Sequence, residues 1–419
     1  MNTVTKQSRV AVDPQVYKWI VLAGVIAGYV FDALDFMVLA MIIPLVVQDW
    51  GLSLVNAGLL STATLFGAAV GAYSWGPIAD KFGRKYVIAA CIATFSVISF
   101  LCGLADTWDQ LVVLRFFAGV GLGGEWVIGA ALVTEFFPPH QRARATTAVQ
   151  MGWPIGFALA IAANYIITPL YGWRALFFFG AAGIFVAIYC LIFVPESPAW
   201  LKAKENLKKG VEGVSSAVAK AANWTEIFKG TNRRVTLLSI CLCVCVLVSF
   251  WGTGTWIPAF LMQERGLDIK GLTWFLMGQQ VAGMLSYVLF GYIADKVGRR
   301  ASLIAGGLAS TVTVILYMLA PTPGLILAAG LLWGFAMLGF WGPLPATIAE
   351  QFPTSVRGVG VSISYATGRL ASALSPFLIG GLGAKFGLAF AIGVMAVFYL
   401  GVAIFGYLMK ETKDTIVLD

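Results

Sequence analysis

Gly-Pro-Ile-Ala-Asp-Lys-Phe-Gly-Arg-Lys, residues Gly76–Lys85, returns in the second half of the chain as Gly-Tyr-Ile-Ala-Asp-Lys-Val-Gly-Arg-Arg, residues Gly291–Arg300. A second pair keeps the same offset. Glu135-Phe136-Phe137-Pro138 with Arg142 becomes Glu350-Gln351-Phe352-Pro353 with Arg357. Two independent matches at one spacing, close to half of the 419 residues, mark a duplicated polypeptide.

The composition says where that duplication is housed. The chain is 59% hydrophobic and 11% charged, against roughly 25% charged in soluble domains, so most of its surface cannot face water. Apolar runs of about 20 residues recur, each long enough to cross a ~30 Å hydrocarbon core. Twelve spans are read, near 17–46, 53–77, 86–105, 109–135, 143–168, 172–194, 235–262, 270–292, 301–320, 324–350, 357–383 and 387–409. The fold class is an all-α membrane protein of twelve transmembrane helices in two pseudo-symmetric six-helix bundles. The bundles are expected at 1–194 and 234–419, joined by a polar cytoplasmic linker at 195–233. Repeats in a membrane protein also place a binding site at the seam between them.

Charge gives the orientation. With the N-terminus inside, 22 of the 28 Lys and Arg residues lie on the cytoplasmic side. Only Arg174, Arg265, Lys270 and Lys385 lie on the other, and Arg115 and Arg369 fall within spans. The net charge of +8 is this asymmetry, so no nucleic-acid partner is expected. No cleavable signal peptide is read. The six cysteines fall within spans as small apolar residues, and neither a metal nor a cofactor is expected. No His/Ser/Asp constellation supports an enzyme, and the sole histidine, His140, sits in the 4–5 loop. The run Gly119–Gly124 mimics a nucleotide loop, but it lies inside an apolar helix with no preceding strand, and reads as a packing seam.

The repeated Gly-x-x-x-Asp-x-x-Gly-Arg-Lys/Arg loop resembles the signature between helices two and three of the major facilitator superfamily. It occurs again between helices eight and nine. The resemblance implies a latch at the cytoplasmic helix ends that forms in one conformation and releases in the next. Its residues are Gly76, Asp80, Gly83, Arg84, Gly291, Asp295, Gly298 and Arg299, with Glu135, Arg142, Glu350 and Arg357. Arg115-Phe116-Phe117-Ala118-Gly119-Val120-Gly121-Leu122-Gly123-Gly124-Glu125-Trp126 resembles the family's second signature. There a helix-four arginine partners a helix-one acid in proton-coupled members.

An ionisable group inside a span is expensive and marks function by default. Five lie deep: Asp32, Asp35, Arg115, Glu125 and Arg369. Asp32 and Asp35 share a helix face at i, i+3, and Asp35 and Arg115 lie within ~7 Å of one depth. An acid held against an arginine can load and release a proton as the pair opens and closes. Proton coupling is therefore assigned to Asp35 and Arg115, with Asp32 and Glu125 assisting. Glu125 is ~15 Å from Arg115 along the same helix, nearer a central site. Arg369, with no acid in its own half, invites an anionic ligand whose carboxylate matches its fork; the alternative is an acid across the cavity, Glu125 in particular. Substrate contact is assigned to Arg369, Glu125, Gln279, Gln280 and Tyr365. Trp126, Trp153, Trp251, Trp256, Trp333 and Trp341 are further candidates for cavity walls.

Asp32-Ala33-Leu34-Asp35, Gly123–Trp126 and Gln150-Met151-Gly152-Trp153-Pro154-Ile155-Gly156 together resemble the bacterial sialate/monocarboxylate and aromatic-acid proton symporters. Pro195-Glu196-Ser197-Pro198 and Lys410-Glu411-Thr412-Lys413 echo sugar porters as inner-end latches. The resemblance implies a monomeric, multi-pass protein of the bacterial inner (plasma) membrane, with both termini cytoplasmic and the bilayer as its surroundings. It would import a small organic anion, a monocarboxylate or aromatic acid, together with protons, by alternating access. Two alternatives are kept: a proton-driven exporter of hydrophobic or cationic compounds, and a transporter-like nutrient receptor.

Overall fold

The computed structural model describes residues 14–208, 225–353 and 356–413. They form twelve membrane helices: α1 (Pro14–Trp50), α2 (Leu54–Phe82), α3 (Arg84–Gly103), α4 (Trp108–Phe136), α5 (Arg144–Tyr171) and α6 (Arg174–Phe193), then α7 (Asn232–Glu264), α8 (Ile269–Val297), α9 (Arg299–Leu319), α10 (Pro323–Glu350), α11 (Arg357–Ser372 continued by Ser375–Phe386) and α12 (Leu388–Leu408). A shorter helix, Pro198–Lys208, follows α6. Residues 209–224 of the expected linker lie outside the described residues, as do the side chains of His140 and Asp295. Ten of the twelve helices are long and apolar enough to cross a membrane by length and composition alone. The two that fall short are polar inside: α8 carries Gln279 and Gln280, and α11 is interrupted after Ser372 and carries Arg369 among serines and threonines.

The duplication reaches the helix ends. Thr107 caps α4 by accepting from the Gln110 N–H, and Thr322, its counterpart at the repeat offset, caps α10 through Leu325. Ser53 and Asp268 cap α2 and α8 in the same way. Gly83 and Gly298 end α2 and α8 with φ of +103° and +122°, a region closed to residues with a Cβ. A Cβ there would also run into Glu196 or Glu411.

Packing within the first half depends on glycine. Gly67 and Gly71 of α2 lie against the backbone of α4 at Phe116 and Val120, while Gly119 and Gly123 of α4 lie against α2 at Thr64 and Ala68. Small residues four apart on both helices bring the backbones into contact, which is what the Gly119–Gly124 run is for. The halves meet through α2 with the second segment of α11, α5 with α8, and α1 with Ile257–Ala259 of α7. The α2–α11 contact is tight at the end remote from the 2–3 and 8–9 loops. There Trp256 Nε1 donates to the Pro376 carbonyl at 2.9 Å, and a Cβ on Gly58 would stand 2.6 Å from that same oxygen.

Candidate functional site

A cavity of about 640 Å³ lies between the halves, within the size range of small-molecule sites. Its walls run from Asp32 and Arg369 in the interior to Asp80, Ile348 and Gly358 at the ends of α2, α10 and α11. It therefore opens on the side of the repeated loops, opposite the sealed α2–α11 contact. The lining is mainly aromatic and aliphatic. Trp153 of α5 and Trp251 of α7 line it and cluster with Phe36 of α1 behind them, ring centroids 4.9–6.0 Å apart. Trp341 of α10 joins it through Phe250 at 5.3 Å. Trp256 and Trp333 are not among the lining residues.

Two charged side chains reach this apolar space from opposite halves. Arg369 arrives from α11 and is 8% exposed; Asp32 arrives from α1 and is 2% exposed. The Arg369 guanidinium stands 6.0 Å from the centre of the Phe36 ring, and Asp32 lies one helical turn before Phe36 on the same face. No ion pair joins the two charges among the described residues, and Asp32 Oδ1 has no hydrogen-bond partner there. Tyr365, one turn before Arg369, lines the same wall and stacks on Trp126 of α4 at 5.2 Å and 27°.

Asp35 and Arg115 are brought together, but behind the wall. Arg115 Nη1 lies 2.9 Å from Asp35 Oδ2, with both side chains fully buried. The contact is ionic and too oblique for an aligned hydrogen bond. Arg115 Nε donates to Thr64 Oγ1 at 3.2 Å, and the guanidinium stands 5.7 Å from the centre of the Phe177 ring. Neither Asp35 nor Arg115 lines the cavity.

Glu125 is not on the cavity wall, and no ion pair joins it to Arg369 among the described residues. It is fully buried against α1 and α3: a Cβ on Gly28 would stand 2.6 Å from Glu125 Oε1 and 2.9 Å from Ile92 Cδ1. Both carboxyl oxygens lack a hydrogen-bond partner among the described residues. Gln279 and Gln280 line a second, much smaller cavity beside Trp333 and Met337, and Gln279 Nε2 donates to the Tyr317 hydroxyl at 2.6 Å. Thr64, Gly28 and the Gln150 that accepts from Trp126 Nε1 at 2.7 Å were not singled out from sequence as parts of the site. Thr64 had a signal: it is the repeat counterpart of Gln279.

At the loop side each half carries the same cluster. Arg84 pairs with Glu135, which also accepts from Ser197, while Glu196 Oε1 accepts the backbone N–H groups of Arg84 and Lys85 at 2.8 and 3.1 Å. In the second half Arg299 pairs with Glu350 at 3.4 Å, Thr412 donates to Glu350, and Glu411 accepts from Arg299 and Arg300 at 3.0 and 3.1 Å. Arg142 and Arg357 hold the carbonyls of Phe137 and Phe352. Asp80 makes no ion pair among the described residues; its carbonyl accepts from Trp200. Burial works to push the Glu411 carboxyl up, but the N–H groups of Arg299, Lys413, Thr412 and Arg300 outweigh it and hold the group below the ordinary carboxylate value.

Comparison with known proteins fits this arrangement. The family model described as Major Facilitator Superfamily matches residues 25–286 and 270–416. The cis,cis-muconate transport protein of Acinetobacter baylyi is 31% identical over 88% of this chain and 89% of its own length. The benzoate transport protein of the same organism is 30% identical over 84% of this chain and 81% of its own. The inward open xylose transporter of E. coli superposes with a TM-score of 0.77 at 20% identity, covering 96% and 98% of the two chains. Twelve helices in two repeats, a cavity at their seam and paired charged clusters at the loops are thus those of a membrane transporter, and the chain belongs to the Major Facilitator Superfamily.

Proposed function

We propose that this chain is a proton-coupled symporter that imports a small organic anion, of the monocarboxylate or aromatic-acid class, by alternating access. The observation that carries this reading is the pair of opposite charges lining one cavity, Arg369 from one half and Asp32 from the other. The guanidinium fork binds the substrate carboxylate. Once the anion neutralises Arg369, an ionised Asp32 beside it is uncompensated in an apolar cavity, so binding favours its proton-loaded form. Proton and anion then bias the same two-state equilibrium, which is what coupling requires. Asp35 with Arg115, sealed inside the first half, opens and closes with the rocking, and Glu125 assists from behind α1.

The relatives named for muconate and benzoate support the substrate class, and the clustering of basic residues supports cytoplasmic termini in the inner (plasma) membrane of a bacterium. In that orientation the cavity faces the cytoplasm. A monomer suffices, since the whole cavity is built from one chain. The test is uptake of labelled benzoate into proteoliposomes under an inward proton gradient. Wild type should accumulate it and Arg369→Gln should neither bind nor transport it; unchanged affinity in the variant would refute the anion site. The same assay addresses the export of cations, which Asp32 on the wall would also suit. Proton movement in the direction opposite to substrate would favour that reading.

A further inference from the structure

The stacked pair Trp126–Tyr365 occupies a place that the anion site alone does not explain. The two rings come from opposite halves, α4 and α11, and meet across the cavity at 5.2 Å and 27°. Both line the cavity, and both lie nearer its mouth than Arg369, because α11 enters from the loop side and reaches Tyr365 one turn, or ~6 Å, before Arg369. The indole is held in orientation by its own half: Trp126 Nε1 donates to Gln150 Oε1 at 2.7 Å. Gln150 also lines the cavity. The pair therefore stands between the guanidinium and the opening, with its faces fixed on one side and mobile relative to the other as the halves rock.

We infer that Trp126 and Tyr365 are the specificity-determining pair for the substrate's body: they part to admit a planar, conjugated ring between them while its carboxylate sits on Arg369. The inference rests on the anion reading above and extends it from the charge of the substrate to its shape. A guanidinium fork and an aromatic face one helical turn apart match a carboxylate and the ring that bears it directly. Flat rings gain from offset stacking on both faces. A puckered ring of the same size keeps the carboxylate contact but loses the face-to-face fit. Because the jaws belong to different halves, a ring held between them also ties the halves together on the loop side. The substrate's shape thereby bears on the rocking equilibrium as well as on affinity.

The experiment compares benzoate with cyclohexanecarboxylate, its saturated counterpart, as ligands of the purified full chain, by equilibrium binding. Wild type should prefer benzoate on the order of threefold to tenfold, the strength of one aromatic pair beyond its area. Trp126→Leu or Tyr365→Leu should bring that ratio to about one by weakening benzoate more than cyclohexanecarboxylate, and retained binding of either acid shows that the variant is folded. Trp126→Phe and Tyr365→Phe should keep the preference. Arg369→Gln should weaken both acids together. Equal affinities in wild type, or a preference that survives both leucine variants, overturns the clamp while the anion site stands, provided Arg369→Gln still weakens both. A leucine variant that binds neither acid overturns it as well, if its phenylalanine counterpart binds both without preference. Binding of neither acid by wild type removes the anion reading and the clamp with it.

Discussion

Replacing Asp35 by Asn should destabilise this protein more than replacing Asp35 and Arg115 together. Arg115 is fully buried, 2.9 Å from Asp35 Oδ2, and its one aligned hydrogen bond to a side chain is to Thr64. Asp35→Asn removes the counter-charge and leaves a guanidinium in an apolar interior. Breaking a buried pair in this way costs about 3–5 kcal/mol, whereas replacing both partners by neutral groups is often close to neutral. Unfolding entropy of about 2.1 cal/mol/K per residue over 419 residues converts the single-variant loss into a fall of ~3–6 °C in Tm. The assay is thermal unfolding of purified Asp35→Asn, Arg115→Gln and the double variant. The double should melt within about 2 °C of wild type, above either single. A double variant that falls by the sum of the two singles would refute the reasoning, because the charges would then act independently. In transport, Asp35→Asn should lose gradient-driven accumulation and keep counterflow exchange, both measured in proteoliposomes.

Three further outcomes follow from the packing and the loop-side clusters. Gly67→Ala places a methyl on the Phe116 carbonyl of α4 and should cost about 1–3 kcal/mol by overpacking, seen as a lower melting temperature. Gly381→Ala, with nothing within 4 Å of the new methyl, is the unaffected control. Trp256→Phe removes the indole donor from the buried Pro376 carbonyl, leaving only its bond within the helix, and should loosen the sealed end; a cysteine at Leu54 should then label faster from that side in intact vesicles. Glu411→Gln should lower the melting temperature at pH 7. The folded Glu411 carboxyl lies below its ordinary value of 4.5, so its contribution is present above that value and is lost as pH falls through the folded one. The gap between variant and wild type should therefore close on acidification below 4.5.

Much of this was legible in the sequence because duplication leaves both backbone and loop chemistry at one offset. Caps, turn glycines and latch acids all recur at that one spacing, and Glu196 and Glu411 stood out in the motifs that carry them. Depth was legible too, since rise per residue is fixed. Azimuth was not. Asp32 and Asp35 are neighbours on one face, yet three residues leave ~60° between them, enough to put Asp32 on the cavity wall and Asp35 behind it with Arg115. Glu125 and Trp126 are adjacent, so when Trp126 faces the cavity Glu125 turns some ~100° away, into the space left by Gly28. Gln279 and Gln280, assigned to substrate contact, line the smaller cavity. A helix register shows which residues share a face, but the direction of that face is set by partners far away in sequence.

The repeat also supplies an internal control for why the first half keeps its charges. The positions of Asp35, Thr64, Cys102 and Arg115 are matched, at the repeat offset, by Phe250, Gln279, Tyr317 and Gly330. The second half fills the same interior without charge. Gln279 donates to Tyr317 at 2.6 Å, and a Cβ on Gly330 would stand 2.7 Å from the Gln279 amide nitrogen, so the amide occupies the room that Arg115 takes in the first half. A six-helix unit of this kind thus closes its core with a neutral hydrogen bond, and the buried ion pair is not a requirement of the fold. Its maintenance costs desolvation that the neutral version avoids. On the proposed symport the asymmetry divides the work: one half would respond to a proton, and the other would present a fixed cation, Arg369, to the anion that travels with it.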